Sequence, residues 1–233
     1  NNPGVGFGEV EMIGPIHDQW PPESHLRLIG KVDLANGTLA DAQRILRDFL
    51  PRAFRRPVNE ADVERYLALV KSRLDAGRSF HESLRVGLVA VLCSPQFLYL
   101  REDMNPATKR VSDFELAARL SYFFCSSMPD AQLTALARAG RLGDSKVLAG
   151  QVERMLKDAK GERFVSNFVG QWLKLRQNNE TTRDAKLYKQ FDELLQVSMV
   201  WEGEGFFRQL LNENLNIDNV IDSVSTCDMV SRR

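Results

Sequence analysis

The sequence predicts an all-α protein, mainly a helical bundle, with a short β-rich or irregular N-terminal segment. Three observations support this fold class. From Thr38 onward, apolar residues recur with the period of about 3.6 that is typical of amphipathic helices. Well over half of the chain follows this period, whereas about a third of an average globular protein is helical. The connections between the helical segments are short, which favours antiparallel neighbours in a bundle.

Residues 1–37 lack the helical period. In GEVEMIGPI, apolar and acidic residues alternate as they do in a half-buried strand. Trp20-Pro21-Pro22 excludes a regular strand or helix at that point, because proline lacks the backbone N–H and fixes φ. The irregular stretch continues to the turn dipeptide Asn36-Gly37. We interpret residues 1–37 as the tail of a preceding β-rich unit plus a linker.

A first helical subdomain is predicted at residues 38–105. Pro57 and Gly77 are expected to end its first two helices, and Pro95 to open a further one. A side chain that can cap the backbone precedes each of the four predicted helices: Thr38, Asn59, Ser79 and Ser94.

A second helical subdomain is predicted at residues 106–222 and is expected to pack on the first. Ser112 with Glu115 forms an S-x-x-E capping box, and Asp144 is expected to cap a later helix. A last long helix is predicted from about Ala185 to Leu211, with Gly203 and Gly205 marking a kink or a close helix crossing. Residues 223–233, with the sequence SVSTCDMVSRR, are expected to be a truncated or disordered tail.

An aromatic stripe follows Gly161 in this subdomain. Phe164, Phe168 and Trp172 recur every four residues, so they lie on one face of a helix. Such a stripe usually packs into a core, and that is our prediction; a haem or flavin site is the alternative.

The composition gives no indication of a nucleic-acid partner or of a segment that spans a membrane. Lys and Arg total 31, as do Asp and Glu, so no basic excess suggests nucleic acid. The longest apolar run, VGLVAVLC at 86–93, is too short to span a bilayer, and no transmembrane segment is expected. The polar start Asn1 to Val10 does not resemble a signal peptide and does not begin with Met, so we expect an internal fragment of a longer protein.

The three cysteines do not form a metal or haem motif. Cys93, Cys125 and Cys227 are far apart, and none lies in a CxxC or CxxCH sequence. Cys93 and Cys125 lie in apolar helical segments and are predicted to be core residues. No cofactor is expected in this fragment.

The stretch GPIHDQWPPESH contains the candidate metal ligands His17, Asp18, Glu23 and His25. Nitrogen and oxygen ligands of this kind suit zinc or similar ions, but their spacing fits no established ligand pattern. We favour a structural role, in which Trp20 fills an apolar gap where the β-rich unit meets the helices. Partner recognition is the remaining alternative.

A basic cluster formed by Arg52, Arg55 and Arg56 ends the first predicted helix. The guanidinium group of arginine can form two parallel hydrogen bonds with a carboxylate or phosphate, so the cluster is a candidate anion site. The favoured interpretation is that these cations complement the helix macrodipole and its last carbonyls.

Two further polar groups have structural explanations. His81 is expected to be solvated near a helix start, beside Glu82, because no nucleophile accompanies the pair. Ser126-Ser127 is expected to end one helix before Pro129 and the next helix.

Six sequence blocks, in this order, resemble large planctomycete-type multidomain proteins built of domains of unknown function. The blocks are GPIHDQWPPESHLRLIG, AFRRPVNEADVERYLALV, LVAVLCSPQFLYLRED, LAARLSYFFCSSMPDAQLTALARAGRL, QVERMLKDAKGERFVSNFVGQWLKLR and KLYKQFDELLQVSMVWEGEGFF. Such families usually have a large aromatic residue in place of Cys125, so the resemblance implies no role for this thiol.

Those proteins are commonly joined to a planctomycete cytochrome c domain. The resemblance therefore implies a periplasmic or secreted setting, a redox-associated context and haem in the full-length parent. It implies the flanking domains of the parent as partners, and a protein or carbohydrate as a further partner. It supplies no catalytic residue.

Two functional hypotheses follow. The first is a non-enzymatic scaffold or interaction module of a larger envelope protein associated with c-type cytochrome domains. The second is part of an enzyme, acting in redox chemistry or on polysaccharide, whose active site is completed by other domains. Paired carboxylates such as Asp62 and Glu64 are available for the second, but their positions on ordinary helices suggest solvated faces. Noncovalent haem or metal binding is a third alternative.

Overall fold

The computed structural model describes residues 11, 14, 21–100, 102, 104–175, 177, 187–188, 191–216 and 218–222. The chain forms two compact units, Asn1–Tyr99 and Leu100–Arg233, called the first and second unit below. The described residues are mainly helical, and their one β-type pairing is the isolated antiparallel bridge between Asn105 and Arg110. The predicted all-α fold class is confirmed. The strand predicted in GEVEMIGPI lies largely outside the described residues.

The first unit contains five described helices. They are α1 Glu23–Ile29, α2 Leu39–Phe54, α3 Glu60–Asp75, α4 Phe80–Leu92 and α5 Pro95–Leu98. Thr38, Asn59 and Ser79 open α2, α3 and α4 as predicted, each through a complete capping box. Ser94 caps α5, with Pro95 as its first residue. These predictions are confirmed because capping depends on residues three apart.

Helix α1 was not predicted. It lies within the stretch interpreted as an irregular linker, and it starts directly after Pro22, which has no side-chain oxygen to cap it. Its Ile29 is buried, and the following Val32 and Leu34 pack against the core of the first unit. This part of the predicted linker is therefore structured.

The core of the first unit lies between α2, α3 and α4. Its fully buried members include Leu46, Leu50, Val70 and Leu84. Helices α3 and α4 approach closely at Gly87, where an added Cβ would lie 2.6 Å from Val70 Cγ2. Cys93, predicted to be a core residue, is exposed at the end of α4, so that prediction is wrong. The helix ends at this residue. Cys93 lies outside the face of α4 that carries the buried side chains.

The second unit contains six described α-helices. They are α6 Asp113–Cys125, α7 Ala131–Arg138, α8 Ser145–Lys157, α9 Glu162–Trp172, α10 Glu193–Asn212 and α11 Asn219–Asp222, with a 3-10 turn at Ala159–Gly161. Helix α6 packs against α7, α8 and α9, and α10 packs on α9. The core includes Phe124, Leu133, Leu142 and Val169, and Cys125 is buried in it as predicted.

The predicted start of the long last helix was wrong. The helix α10 begins at Glu193 rather than near Ala185, and Leu187 lies in an exposed turn. Asp192 sets the start, because its carboxylate accepts a hydrogen bond from the Leu195 amide at 2.7 Å. The apolar residues at 187 and 191 continue the helical period, although they lie before the start of the helix. The predicted tail, residues 223–233 with Cys227, lies outside the described residues.

Candidate functional site: an aromatic groove on the second unit

The aromatic stripe of α9 leaves the core as it runs along the helix. Phe164 is 8% exposed, Phe168 36% and Trp172 48%. The prediction that the whole stripe is core is therefore wrong for its last two members. The three rings remain in sequence, with centroids 5.3 Å apart between Phe164 and Phe168 and 5.7 Å apart between Phe168 and Trp172.

Helix α6 contributes a third exposed aromatic residue beside this stripe. Phe124 is buried, whereas its neighbour Phe123 is 53% exposed, because adjacent residues of an α-helix point about 100° apart. Both rings lie 5.2 Å from the ring of Phe164. Phe164 thus links the buried aromatic residues to the exposed ones.

Helix α10 supports the stripe from another side. The ring of Phe207 lies 5.6 Å from that of Phe168 and 6.3 Å from that of Trp172. Glu204 Oε2 accepts a hydrogen bond from Ser166 Oγ at 3.0 Å, which ties α10 to α9.

A kink or a close helix crossing was predicted at Gly203 and Gly205, and Gly203 lies close to the segment that follows α9. A Cβ added there would lie 3.2 Å from Leu175 Cδ1, in the segment that follows α9. A glycine at this position therefore lets α10 approach the end of the aromatic stripe.

The exposed rings border a groove of about 650 Å³ between α6 and α9. Its lining residues carry five aromatic rings and two amides: Tyr122, Phe123, Phe164, Asn167, Phe168, Gln171 and Trp172. No lining residue is charged. The Asn167 side-chain amide donates to Ser126 Oγ at 2.7 Å, which fixes the amide at the rim. The groove can offer aromatic faces and a few hydrogen bonds to a ligand.

Ser126 takes this position because it ends α6. It adopts the left-handed conformation with φ 48°, and its backbone N–H bonds to the Tyr122 carbonyl. Asp130 then caps α7. The prediction of helix termination and restart at these residues is confirmed, and it also explains how the Ser126 hydroxyl comes to face Asn167.

The predicted metal site can be located only in part. His17 and Asp18 lie outside the described residues, while Glu23 and His25 lie in the first turn of α1. The Glu23 carboxylate forms an exposed ion pair with Arg27 at 2.6 Å. Among the residues that the structure describes, no group of three or more His, Cys, Asp or Glu could hold a metal ion. The four-ligand site stays a prediction.

The basic cluster at the end of α2 has protein partners. Arg55 ends α2 in the left-handed conformation and donates through Nη2 to the carbonyls of Gln96 and Phe97, both at 3.0 Å, and of Tyr99 at 3.2 Å. Its guanidinium thus satisfies carbonyls at the end of α5. Arg52 is exposed. An external anion would have to compete with these contacts, and anion binding stays a prediction.

Arg56 binds Asp62 through both guanidinium ends, at 3.0 Å and 3.3 Å, and also Gln96 Oε1 at 2.7 Å. Burial alone would raise the pKa of Asp62. The hydrogen bonds from Arg56 and from the Asn59 amide outweigh burial, so the pKa lies below its ordinary value. Asp62 was predicted to lie on a solvated face, but its side chain is only 12% exposed. Its contacts give it a structural role in the first unit.

His81 is exposed in the first turn of α4, as predicted. The adjacent Glu82 closes the capping box with Ser79, whose hydroxyl and amide lower the pKa of the Glu82 carboxyl. The pair is thus explained by helix capping.

Two protein-family models match the chain. The family described as PSD4, protein of unknown function (DUF1592), matches residues 111–229, and PSD5, protein of unknown function (DUF1595), matches residues 41–102. The first match covers just over half of the chain, so the chain belongs to the DUF1592 family. Both families are typical of planctomycete-type multidomain proteins.

No curated protein and no solved structure matches the chain. Within the described residues, every helix is too short or too polar to cross a membrane.

Proposed function

We propose that this chain is a helical interaction module of a larger envelope protein, and that the aromatic groove binds an apolar segment of a protein partner. The observation that carries the proposal is the exposure of Phe123, Phe168 and Trp172 around a groove without a charged lining residue. Exposed apolar surface is costly in water, so a clustered patch of large rings marks a binding surface.

The chemistry of the lining supports a protein partner. Centres of protein interfaces are enriched in aromatic residues and depleted of charge, and tryptophan and tyrosine dominate their binding energy. Helices often bind in grooves of this kind, with apolar side chains placed one turn apart. The neighbour of Trp172, Leu173, is also exposed and extends the apolar surface.

A carbohydrate fits the groove less well. Each sugar hydroxyl that is buried needs a hydrogen-bond partner, since an unsatisfied hydroxyl is costly to bury. The lining offers two amides and one phenol, and the Asn167 amide already donates to Ser126. This balance favours an apolar protein segment.

The partner we propose is a flanking domain of the same parent protein. The family is typical of multidomain proteins. The sequence blocks of this chain also resemble proteins that are commonly joined to c-type cytochrome domains. In this proposal the parent is periplasmic or secreted, the haem belongs to the cytochrome domain, and this chain positions that domain or its neighbour without holding a cofactor itself.

Photo-crosslinking in the parent protein tests the proposal. The photoreactive amino acid p-benzoylphenylalanine replaces Phe168 in one sample and Tyr99, an exposed residue of the first unit, in the control. We expect the group at position 168 to cross-link to one segment of a flanking domain, identified by peptide mass spectrometry, and the group at 99 not to do so. Absence of a cross-link at 168, or the same products from both positions, would overturn the proposal.

A further inference from the structure

A second groove, of about 530 Å³, lies between α7 and α8 on the second unit. Its lining combines an apolar floor with three cations, Arg141, Lys146 and Arg154. The floor is formed by small and aliphatic residues: Ala135, Leu136, Ala139, Val147 and Gly150. The chain as a whole has equal numbers of basic and acidic residues, so this concentration of positive charge is a local feature.

Two of the three cations lack an ion-pair partner among the residues that the structure describes. Neither Arg141 nor Lys146 forms an ion pair with a residue that the structure describes, and both are exposed. No acidic side chain lines the groove. A bound anion would supply the counter-charge that these two side chains lack among the described residues.

Arg154 is held in place by the protein. Its Nε donates to Gln151 Oε1 at 2.9 Å, and its Nη1 donates to Asp130 Oδ2 at 2.8 Å. Its Nη2 is enclosed and has no hydrogen-bond acceptor among the described residues. An enclosed cationic N–H without an acceptor is unfavourable, so Arg154 keeps an unused donor despite its pairing with Asp130.

We propose that this groove binds an organic anion that joins a carboxylate or phosphate group to an apolar body. The anionic group lies between Arg141 and Lys146, where guanidinium and ammonium donors can both reach it. The apolar body covers Leu136, Val147 and the small residues of the floor. An inorganic anion would gain only the contacts with the charged side chains. An uncharged apolar molecule would gain only the contacts with the apolar floor.

Amide NMR shifts of the whole chain test this, with sodium octanoate, octyl phosphate, inorganic phosphate and octanol as probes. We expect octanoate and octyl phosphate to shift amides of residues 132–154, with inorganic phosphate and octanol binding more weakly. The stronger of the two charged probes identifies the preferred anionic group. Binding should weaken as salt is raised, since these charges are exposed to screening.

The variant Arg141→Gln/Lys146→Gln is expected to bind octanoate about tenfold more weakly or worse, since two charged contacts are lost. Arg138→Gln/Lys157→Gln removes the same charge from α7 and α8 outside the lining and should bind as the unmodified chain does. A third variant, Lys146→Glu, places an acid in the first turn of α8, where it suits the helix dipole. It should stay folded and lose binding.

Three results would overturn the inference. They are no shift in residues 132–154 with any probe, equal binding of octanol and octanoate, and equal weakening by the two double variants. The last two would indicate an apolar cleft or the general charge of the unit rather than a site for an organic anion.

Discussion

The rings of Phe164 and Phe168 stack with centroids 5.3 Å apart and planes inclined by 24°, although the first is buried and the second is over a third exposed. One helix therefore carries its aromatic face from the core to the surface within a single turn. Each exposed ring of α9 is supported by contact with the ring that precedes it in the stripe. A preorganised aromatic surface loses little freedom when a partner binds.

The two phenylalanines should respond differently to truncation. Phe164→Ala removes a buried ring and is expected to lower the free energy of unfolding by about 3–5 kcal/mol. Phe168→Ala removes less buried surface and should cost roughly 1 kcal/mol, while it should weaken binding of the partner segment in the groove. Urea unfolding measures both changes. A cost for Phe168→Ala as large as that for Phe164→Ala would mean that Phe168 serves mainly the core.

Arg55 is expected to stabilise the first unit through the carbonyls at the end of α5. Arg55→Lys keeps the charge but lacks the Nη2 group that reaches the carbonyls of Gln96 and Phe97, and it should cost about 1–2 kcal/mol. Arg52→Lys, on the same helix and exposed, is the matched control and should be nearly neutral. Thermal unfolding measures both variants. Equal, small effects would show that the α5 contacts contribute little.

The stability of the first unit should fall in acid partly because of Asp62. Its pKa in the folded protein is lowered, so the carboxylate stabilises the fold above the unfolded pKa of about 3.9. This contribution is lost as the pH falls through the lower, folded pKa. Asp62→Asn should therefore be less stable near pH 7 and show a shallower loss of stability below about pH 5. Chemical unfolding at a series of pH values measures this.

The control for Asp62 is Asp75→Asn, at an exposed i,i+4 pair with Lys71. Such surface pairs contribute little, so this variant should keep the acid dependence of the unmodified chain. If Asp62→Asn also keeps it, the pairing of Asp62 with Arg56 does not govern acid unfolding.

Two helical glycines should give opposite results when changed to alanine. Gly87→Ala would place Cβ 2.6 Å from Val70 Cγ2 at the crossing of α3 and α4 and should destabilise the first unit. Gly150→Ala meets no atom within 4 Å on α8 and should stabilise by about 0.5–1 kcal/mol, from helix propensity. Melting temperatures compare them. A gain at both positions would mean that α3 and α4 can separate at little cost.

Local signals predicted much of this fold. Thr38, Asn59 and Ser79 were recognised as caps because the side chain and the amide that it binds are three residues apart. The predicted start of α10 was wrong because the apolar period already begins before Asp192. The period alone therefore does not show that the helix starts at this cap. Helix α1 was missed since Pro22 supplies no capping signal.

From the sequence, the aromatic residues of the candidate site could be predicted, but their exposure could not. The spacing of Phe164, Phe168 and Trp172 placed them correctly on one face of a helix. Whether that face is covered depends on α6 and α10, which are distant in sequence. The periodicity within α9 does not indicate how far these two helices extend along it. The cationic groove had no sequence signal, because Arg141, Lys146 and Arg154 do not form a recognised motif.

The burial of Trp172 in the parent protein tests the central claim most directly. With Trp20 and Trp201 changed to Phe, Trp172 is the sole tryptophan of this region, and acrylamide quenching reports its access to solvent. Where a flanking domain has tryptophans, selective fluorine labelling at position 172 gives the same comparison by NMR. We predict that Trp172 is readily quenched in this chain alone and strongly protected in the longer parent. Equal access to Trp172 in both would contradict the proposal that a flanking domain fills the aromatic groove.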